Sequence, residues 1–254
     1  MKRSLVIGVF SAKGGVGKSL IASNLGAVFA ERHKIPTVLV DLAAGLGGAD
    51  LLLDVQPERT WAALLPVMDE LMPQHLELAV TPHASGLHLL ASPEVPDLHA
   101  DMQRPTLEAL LAALGQEYTL VLLDVPTGLG VLNVAAFHLA DIRLVVMTPD
   151  APALRATQRY VGGFAQSEKP VGLVLNQYGR GAPVNPKEIG EHINRPVYAV
   201  LPVDSSAVWA NISYGKPCAL KRRRGLGHAL RRLASATLKA AKRNALWEYD
   251  SSSN

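Results

Sequence analysis

The sequence SLVIGVFSAKGGVGKS occupies residues 4–19 and decides the fold class. An apolar run typical of a buried strand precedes a glycine-rich loop, and apolar residues at helical spacing begin directly after Lys18. Glycines allow backbone N–H groups to point inward around phosphate oxygens, and the start of a helix adds positive potential. The order strand, loop, helix therefore predicts a phosphate-binding site. In it, Lys18 reaches the β- and γ-phosphates and the Ser19 hydroxyl is a ligand of Mg²⁺.

This loop departs from the general phosphate-loop pattern G-x-x-x-x-G-K-[ST] in two ways. Ala12 stands where the first glycine is expected, and Lys13 adds a second lysine. A solvated loop lysine is the alternative interpretation of Lys13. The candidate nucleotide contacts of the loop are Gly14, Gly15, Val16, Gly17, Lys18, Ser19 and Leu20.

Outside the loop, short apolar runs alternate with amphipathic stretches along most of the chain. This alternation predicts an α/β fold, a doubly wound and mostly parallel sheet with helices on both faces. We expect one domain over residues 1–246 and a short polar tail over 247–254. The predicted strands are residues 4–10, 37–41, 87–91, 119–124, 143–148, 171–177 and 197–201. The predicted helices are residues 18–33, 60–72, 104–114, 132–140, 153–164, 186–192 and 225–246.

Composition excludes several classes of protein. The 254 residues are 48% hydrophobic and 19% charged, which is too apolar for a disordered chain. No apolar stretch approaches the roughly 18–20 residues that a membrane span needs. Cys218 is the single cysteine, so a disulfide framework or a cysteine-held iron–sulfur site within one chain is excluded. We therefore expect a soluble, cytoplasmic protein whose metal arrives with a nucleotide.

Positive charge is concentrated near the C-terminus. Residues 215–254 hold ten Lys and Arg against two Asp and Glu, whereas residues 1–214 have an excess of acidic residues. Three interpretations stay open: a sequence-independent grip on DNA phosphates, a membrane-bound helix, and a solvated face or protein contact. A membrane is less favoured, because Glu248 and Asp250 follow the helix at once. The candidate polyanion-binding residues are Lys221, Arg222, Arg223, Arg224, Arg231 and Arg232.

The segment KGGVGKS at residues 13–19 resembles the deviant Walker A motif of the MinD/ParA superfamily of ATPases. The resemblance extends over nearly the whole chain. It includes residues 40–42 (VDL), 122–128 (LLDVPTG), 146–150 (VMTPD), 173–176 (LVLN), 201–204 (LPVD) and 214–217 (YGKP). It implies ATP and Mg²⁺ as cofactors and a homodimer that encloses ATP.

The resemblance also implies roles for individual residues. Lys13 would reach the phosphates bound by the partner subunit, and Lys18 would bind those of its own subunit. Asp41 would lie near the attacking water and Mg²⁺, so that Lys13, Lys18 and Asp41 form the expected catalytic set. Asp124 would hold the Mg²⁺ shell through water. Asn176 would read adenine, and the residues expected to line the base are Pro202, Val203 and Asp204.

Within the superfamily, the middle of the chain is similar to the CpaE/TadZ pilus-localisation ATPases. The residues that carry this similarity are 45–53, 59–61, 83–87, 89–93 and 149–155. The similarity implies that the protein positions a cellular machine, with a pilus or secretion apparatus favoured. Recruitment to the nucleoid, a cell pole or a membrane surface would follow from such a role.

One position departs from the superfamily in a way that affects hydrolysis. Most members have D-x-D at the end of the second strand, whereas this chain has Asp41-Leu42-Ala43. An alanine methyl group neither accepts a proton nor orients water, so we expect slow ATP hydrolysis. Two alternatives therefore stand beside an active positioning ATPase: a nucleotide-locked scaffold with little turnover, and a ParA-like partition protein that binds DNA in the presence of ATP.

Overall fold

The computed structural model describes residues 4–45, 47–95, 102–164, 169–182, 184–221 and 223–244. Its strands are β1 (Leu5–Phe10), β2 (Thr37–Asp41), β3 (Thr81–Pro82), β4 (His88–Leu90), β5 (Leu120–Asp124), β6 (Ile142–Met147), β7 (Val171–Tyr178) and β8 (Val197–Pro202). Its α-helices are α1 (Lys18–Glu31), α2 (Ala49–Leu53), α3 (Pro73–Ala79), α4 (Arg104–Glu117), α5 (Val131–Leu139), α6 (Ala151–Gly162), α7 (Pro186–Ile193), α8 (Ser205–Tyr214), α9 (Cys218–Lys221) and α10 (Gly225–Arg243).

All eight strands form one sheet in the order β3-β4-β2-β5-β1-β6-β7-β8. Neighbouring strands are parallel except for the short β3–β4 pair. Every residue of β1, β2 and β5 is buried, as expected for central strands covered by helices on both faces. The predicted doubly wound α/β fold is confirmed.

Two apolar clusters lie on opposite faces of the sheet. Helices α1, α9 and α10 contribute buried leucine, alanine and phenylalanine side chains to one cluster. Helices α4, α5, α6 and α7 cover the other face together with Trp61. Within the described ranges, no helix combines the length and apolar composition needed to cross a bilayer.

The structure differs from the predicted elements in the segment 60–72. A 3₁₀ helix, Trp61–Glu70, stands where an α-helix was expected. Pro66 lies inside it and Val67 has non-helical backbone angles, because proline removes a backbone donor and clashes with the preceding turn. The sequence pattern also missed strand β3 and the helices α2, α3, α8 and α9. Residues 245–254, which include the end of the predicted last helix and the proposed polar tail, lie outside the described residues.

Candidate functional site

The phosphate loop connects the end of β1 to the start of α1 at the carboxyl edge of the sheet. Gly15 and Gly17 have φ values of 75° and 87°, a region that favours glycine. A Cβ atom at Gly17 would lie 2.5 Å from Asn176 Nδ2, so a side chain at this position would have to displace the Asn176 side chain. The glycines of the sequence therefore favour this turn locally.

The loop borders a cavity of about 610 Å³. The predicted contacts Gly14 through Leu20 all line it, which is the arrangement expected from the sequence. Their roles as nucleotide ligands stay predictions. The other lining residues are Ser11, Ala43, Ala44, Pro126 and Thr127.

A buried ion pair lies at the base of the loop. Lys18 Nζ donates to Asp124 Oδ1 over 2.7 Å, and the two side chains are 9% and 1% exposed. The contact follows from topology, because β5 pairs with β1 and places Asp124 opposite Val9. Asp124 Oδ2 is buried and has no hydrogen-bond partner in the described part of the chain. A buried carboxylate oxygen without a donor fits a site that accepts a hydrated cation.

The Asp41 carboxylate lies beside Asp124, since the two residues pair across β2 and β5. Its Oδ1 accepts from Ala43 N–H (2.9 Å), and its Oδ2 accepts from Gly48 N–H (3.2 Å) and Ala49 N–H (3.3 Å). Burial first, and then the Asp124 charge, raise the pKa of Asp41 to about 6, against the opposing effect of these backbone donors. In this arrangement Asp41 fixes the loop that follows β2, and it is Ala43 and Ala44 that line the cavity.

Lys13 lies outside the lining of the cavity and forms an exposed ion pair. Its Nζ donates to Asp150 Oδ1 over 3.1 Å, with the side chains 46% and 41% exposed. Asp150 also caps helix α6 by accepting from Ala153 N–H. Partial burial opposes ionisation of Asp150, but hydrogen bonds from Thr148, Ala153 and Lys13 outweigh it and lower the pKa. Sequence reasoning missed this partner of Lys13, because the two residues are far apart in the chain.

The residues predicted to contact the base occupy two strand ends. Asn176 ends the buried part of β7, and its Nδ2 donates to the Val16 carbonyl over 2.8 Å, so it supports the phosphate loop. Pro202 is the last residue of β8, Val203 and Asp204 follow it, and none of the three lines the cavity. Asp204 instead caps helix α8 and accepts from Leu226 N–H, at the start of α10. Contacts of these four residues with adenine stay predictions.

The basic residues near the C-terminus do not form one uniform surface. Lys221, Arg223 and Arg224 are exposed, whereas Arg222 lies outside the described residues. Arg231 is partly buried and donates to the Ala219 carbonyl. Burial and the nearby Arg32 lower the pKa of Arg231. Arg232 is exposed and lies on the side of α10 that faces β8.

Two buried asparagines, which the sequence pattern did not single out, tie four helices together near the site. Asn24 Nδ2 in α1 donates to Asn211 Oδ1 in α8 over 2.8 Å. Asn211 Nδ2 donates to the carbonyl of Leu52 in α2. The N–H groups of Cys218 and Ala219 in α9 donate to the Asn211 and Asn24 side-chain oxygens, respectively. The network couples the helix of the phosphate loop to the helices that follow Asp41 and Asp204.

Comparisons with known proteins agree with this architecture. A family model described as an AAA domain matches residues 4–168, which is more than half of the chain. The septum site-determining protein MinD of Thermotoga maritima is 27% identical over 226 residues, which cover 85% of this chain and 81% of that protein.

Solved structures show the same fold. A ParA family ATPase from Chlorobium tepidum superposes with a TM-score of 0.84 at 22% identity, covering 92% of this chain and 98% of that one. The septum site-determining protein MinD from Pyrococcus horikoshii, solved as a complex with Mg-ADP, superposes with a TM-score of 0.81 at 22% identity, covering 94% and 97%. The chain belongs to the MinD/ParA superfamily of P-loop ATPases, as its phosphate loop, its strand order and its matches to known proteins together show.

Proposed function

We propose that this chain binds Mg·ATP in the cavity of the phosphate loop and hydrolyses it. The observation that carries the proposal is the buried pair of Lys18 and Asp124, in which one oxygen of Asp124 has no donor among the described residues. A buried cation and carboxylate at the base of a phosphate loop hold positive charge for a phosphate and negative charge for a metal. The relative from Pyrococcus horikoshii, which has the same fold, was solved with Mg-ADP.

The chain's own residues would then divide the work. Backbone N–H groups of the loop bind phosphate oxygens, and Lys18 leaves Asp124 to pair with a phosphate. Ser19 and Asp124 Oδ2 would hold a hydrated Mg²⁺, which would supply charge neutralisation at the phosphates. Release of Lys18 makes Asp124 available, so that binding of the anion and of the cation favour one another.

Hydrolysis is proposed to be slow. Both oxygens of Asp41 already accept backbone hydrogen bonds, and Ala43 offers only a methyl group to the cavity. Neither group is therefore set to orient an attacking water without a change in the loop. The nucleotide-locked scaffold is the second candidate, favoured by the same two residues.

The proposed active form is a homodimer in which Lys13 acts on the partner's phosphates. Lys13 is exposed, and breaking its ion pair with Asp150 costs about 1 kcal/mol or less. We expect ATP to convert monomer to dimer in light-scattering chromatography. A Lys13→Ala variant should remain monomeric under the same conditions, and dimerisation of this variant with ATP would exclude the trans role.

The biological role proposed is the positioning of a cellular machine from the cytoplasm. The printed name of the Thermotoga relative describes a determinant of the septum site. Similarity of the mid-chain segments to pilus-localisation ATPases favours a pilus or secretion apparatus as the cargo. A fluorescent fusion of this protein should accumulate where that apparatus assembles. The same fusion carrying Lys18→Ala should be diffuse in cells that contain equal amounts of it.

ParA-like binding of DNA is the other candidate role, favoured by the exposed Lys221, Arg223 and Arg224. Such binding would appear as a retardation of duplex DNA in electrophoresis that requires ATP and weakens as the salt concentration rises. The pair of substitutions Arg223→Glu and Arg224→Glu should abolish the retardation. Arg104→Glu, an exposed arginine on α4, is the matched control.

Steady-state ATP turnover tests the proposal. The assay compares the wild type with Lys18→Ala, at a temperature where circular dichroism shows the variant folded, in the absence and presence of duplex DNA or anionic liposomes. Turnover above that of the variant supports the ATPase, and stimulation by one surface identifies where it works. Binding of ATP without turnover under every condition would favour the scaffold.

A further inference from the structure

Strand β8 forms one edge of the eight-stranded sheet. It pairs with β7 on one side, and no strand among the described residues pairs with its other side. An edge strand presents backbone N–H and C=O groups that another extended chain can pair with. Tyr198 and Val200 are 37% and 39% exposed along this strand, so apolar side-chain surface accompanies the open edge.

A groove of about 340 Å³ lies between β8 and helix α10. Its helix side is lined by the apolar residues Ala229, Leu233 and Ala236, and its strand side by Tyr198 and Val200. The groove therefore offers apolar contacts directly beside the open backbone edge.

Basic side chains border this groove along α10. His228 and Arg232 line it, and both are exposed. Lys239 and Arg243 follow at spacings of seven and four residues and lie on the same face of the helix. Neither β8 nor α10 contains an Asp or Glu residue. The border of the groove thus attracts negative charge.

We propose that the groove between β8 and α10 binds an extended acidic peptide segment of a partner protein. The segment adds to the sheet as a ninth strand and makes main-chain hydrogen bonds with β8. Side chains at alternate positions of the segment face the groove, where the apolar ones enter it and the acidic ones meet Arg232 and His228. Duplex DNA fits this surface less well, because phosphates use the positive charge but neither the backbone edge nor the apolar lining.

This proposal concerns a surface apart from the phosphate cavity and does not depend on ATP chemistry. Because β8 has six residues, a peptide of about six to eight residues would cover it. Specificity would come from the alternation of side chains, and affinity from main-chain pairing.

Fluorescence anisotropy tests the proposal with a labelled ten-residue peptide in which the odd positions are valine or glutamate and the even positions are threonine. We expect saturable binding to the wild type, and at least tenfold weaker binding when every backbone nitrogen of the peptide is methylated, since the peptide then donates no backbone hydrogen bonds to β8. Arg232→Glu should weaken binding at least tenfold. Arg159→Glu, an exposed arginine on α6 at the other face of the sheet, should leave it unchanged.

Hydrogen exchange adds a second measurement. Amides within residues 197–202 should exchange more slowly when the peptide is bound. Absence of binding, equal binding by the N-methylated peptide, or equal weakening by both arginine substitutions would each overturn the proposal. Duplex DNA that binds with tighter affinity than the peptide and is lost in Arg232→Glu would assign the surface to DNA instead.

Discussion

Replacement of Lys18 by alanine should destabilise the protein strongly even without nucleotide. The amine lies 2.7 Å from the Asp124 carboxylate, and both side chains are buried. At an effective dielectric constant of about 20, the Coulomb attraction over this distance is about 6 kcal/mol before desolvation is subtracted. The variant leaves Asp124 as a buried charge with neither oxygen paired to a cation, a change that typically costs about 3–5 kcal/mol.

Lys13→Ala is a matched control in the same loop. Its ion pair with Asp150 is 3.1 Å long but exposed, so its loss should cost about 1 kcal/mol or less. The assay is urea unfolding followed by circular dichroism at neutral pH, without nucleotide. Lys18→Ala should unfold at a lower urea concentration than Lys13→Ala, and the slope of the unfolding free energy against urea should be similar in the two variants.

A double substitution tests whether the stability that Lys18→Ala loses is due to the unpaired charge of Asp124. Lys18→Met combined with Asp124→Leu removes both charges and should recover much of the stability that Lys18→Ala loses. A cost below about 1 kcal/mol for Lys18→Ala, or equal costs for the two lysine variants, would refute the role assigned to the buried pair.

Further predictions concern the loop after β2 and one close approach of the backbone. Since burial and a neighbouring carboxylate raise the pKa of Asp41 to about 6, the folded chain holds a proton that the unfolded chain releases. The free energy of unfolding should therefore fall by about 3 kcal/mol as pH rises from about 3 to 7, and an Asp41→Asn variant with the same pH profile as the wild type would exclude this. Ala43→Asp should raise ATP turnover if the missing carboxylate limits hydrolysis, and an unchanged rate removes that explanation. Gly215→Ala should lower the free energy of unfolding, measured in urea, by more than 1 kcal/mol, because φ at Gly215 is 54° and the new Cβ would lie 2.4 Å from Asp54 N. Gly162→Ala is the control, since the space around Gly162 is open, and it should not lower the free energy of unfolding.

The parts of the site that are local in sequence could be predicted. The glycines within residues 11–19 determine the backbone conformation of the loop, and the β-strand before it is an uninterrupted apolar run. The mostly parallel sheet could be predicted because short apolar runs alternate with amphipathic stretches along the chain. The positions of Asp41 and Asp124 at the ends of strands were also predicted, whereas the burial of their side chains was not.

Contacts between distant segments could not be predicted. The partner of Lys13 is Asp150, and the network of Asn24 and Asn211 spans 187 positions. No periodicity marks a buried asparagine whose partner lies on another helix. Sequence reasoning also expected Asp41 to face the cavity, whereas the backbone N–H groups of residues 43, 48 and 49 hold its carboxylate.

Binding of ATP to the phosphate loop is the central claim, and calorimetric titration tests it most directly. The wild type should bind one ATP per chain, more tightly with Mg²⁺ than with a chelator present. Ser19→Ala should lose the dependence on Mg²⁺, and Lys18→Ala should lose binding at a temperature where circular dichroism shows it folded. A wild type that does not bind ATP, or a folded Lys18→Ala variant that binds it equally well, would contradict the account.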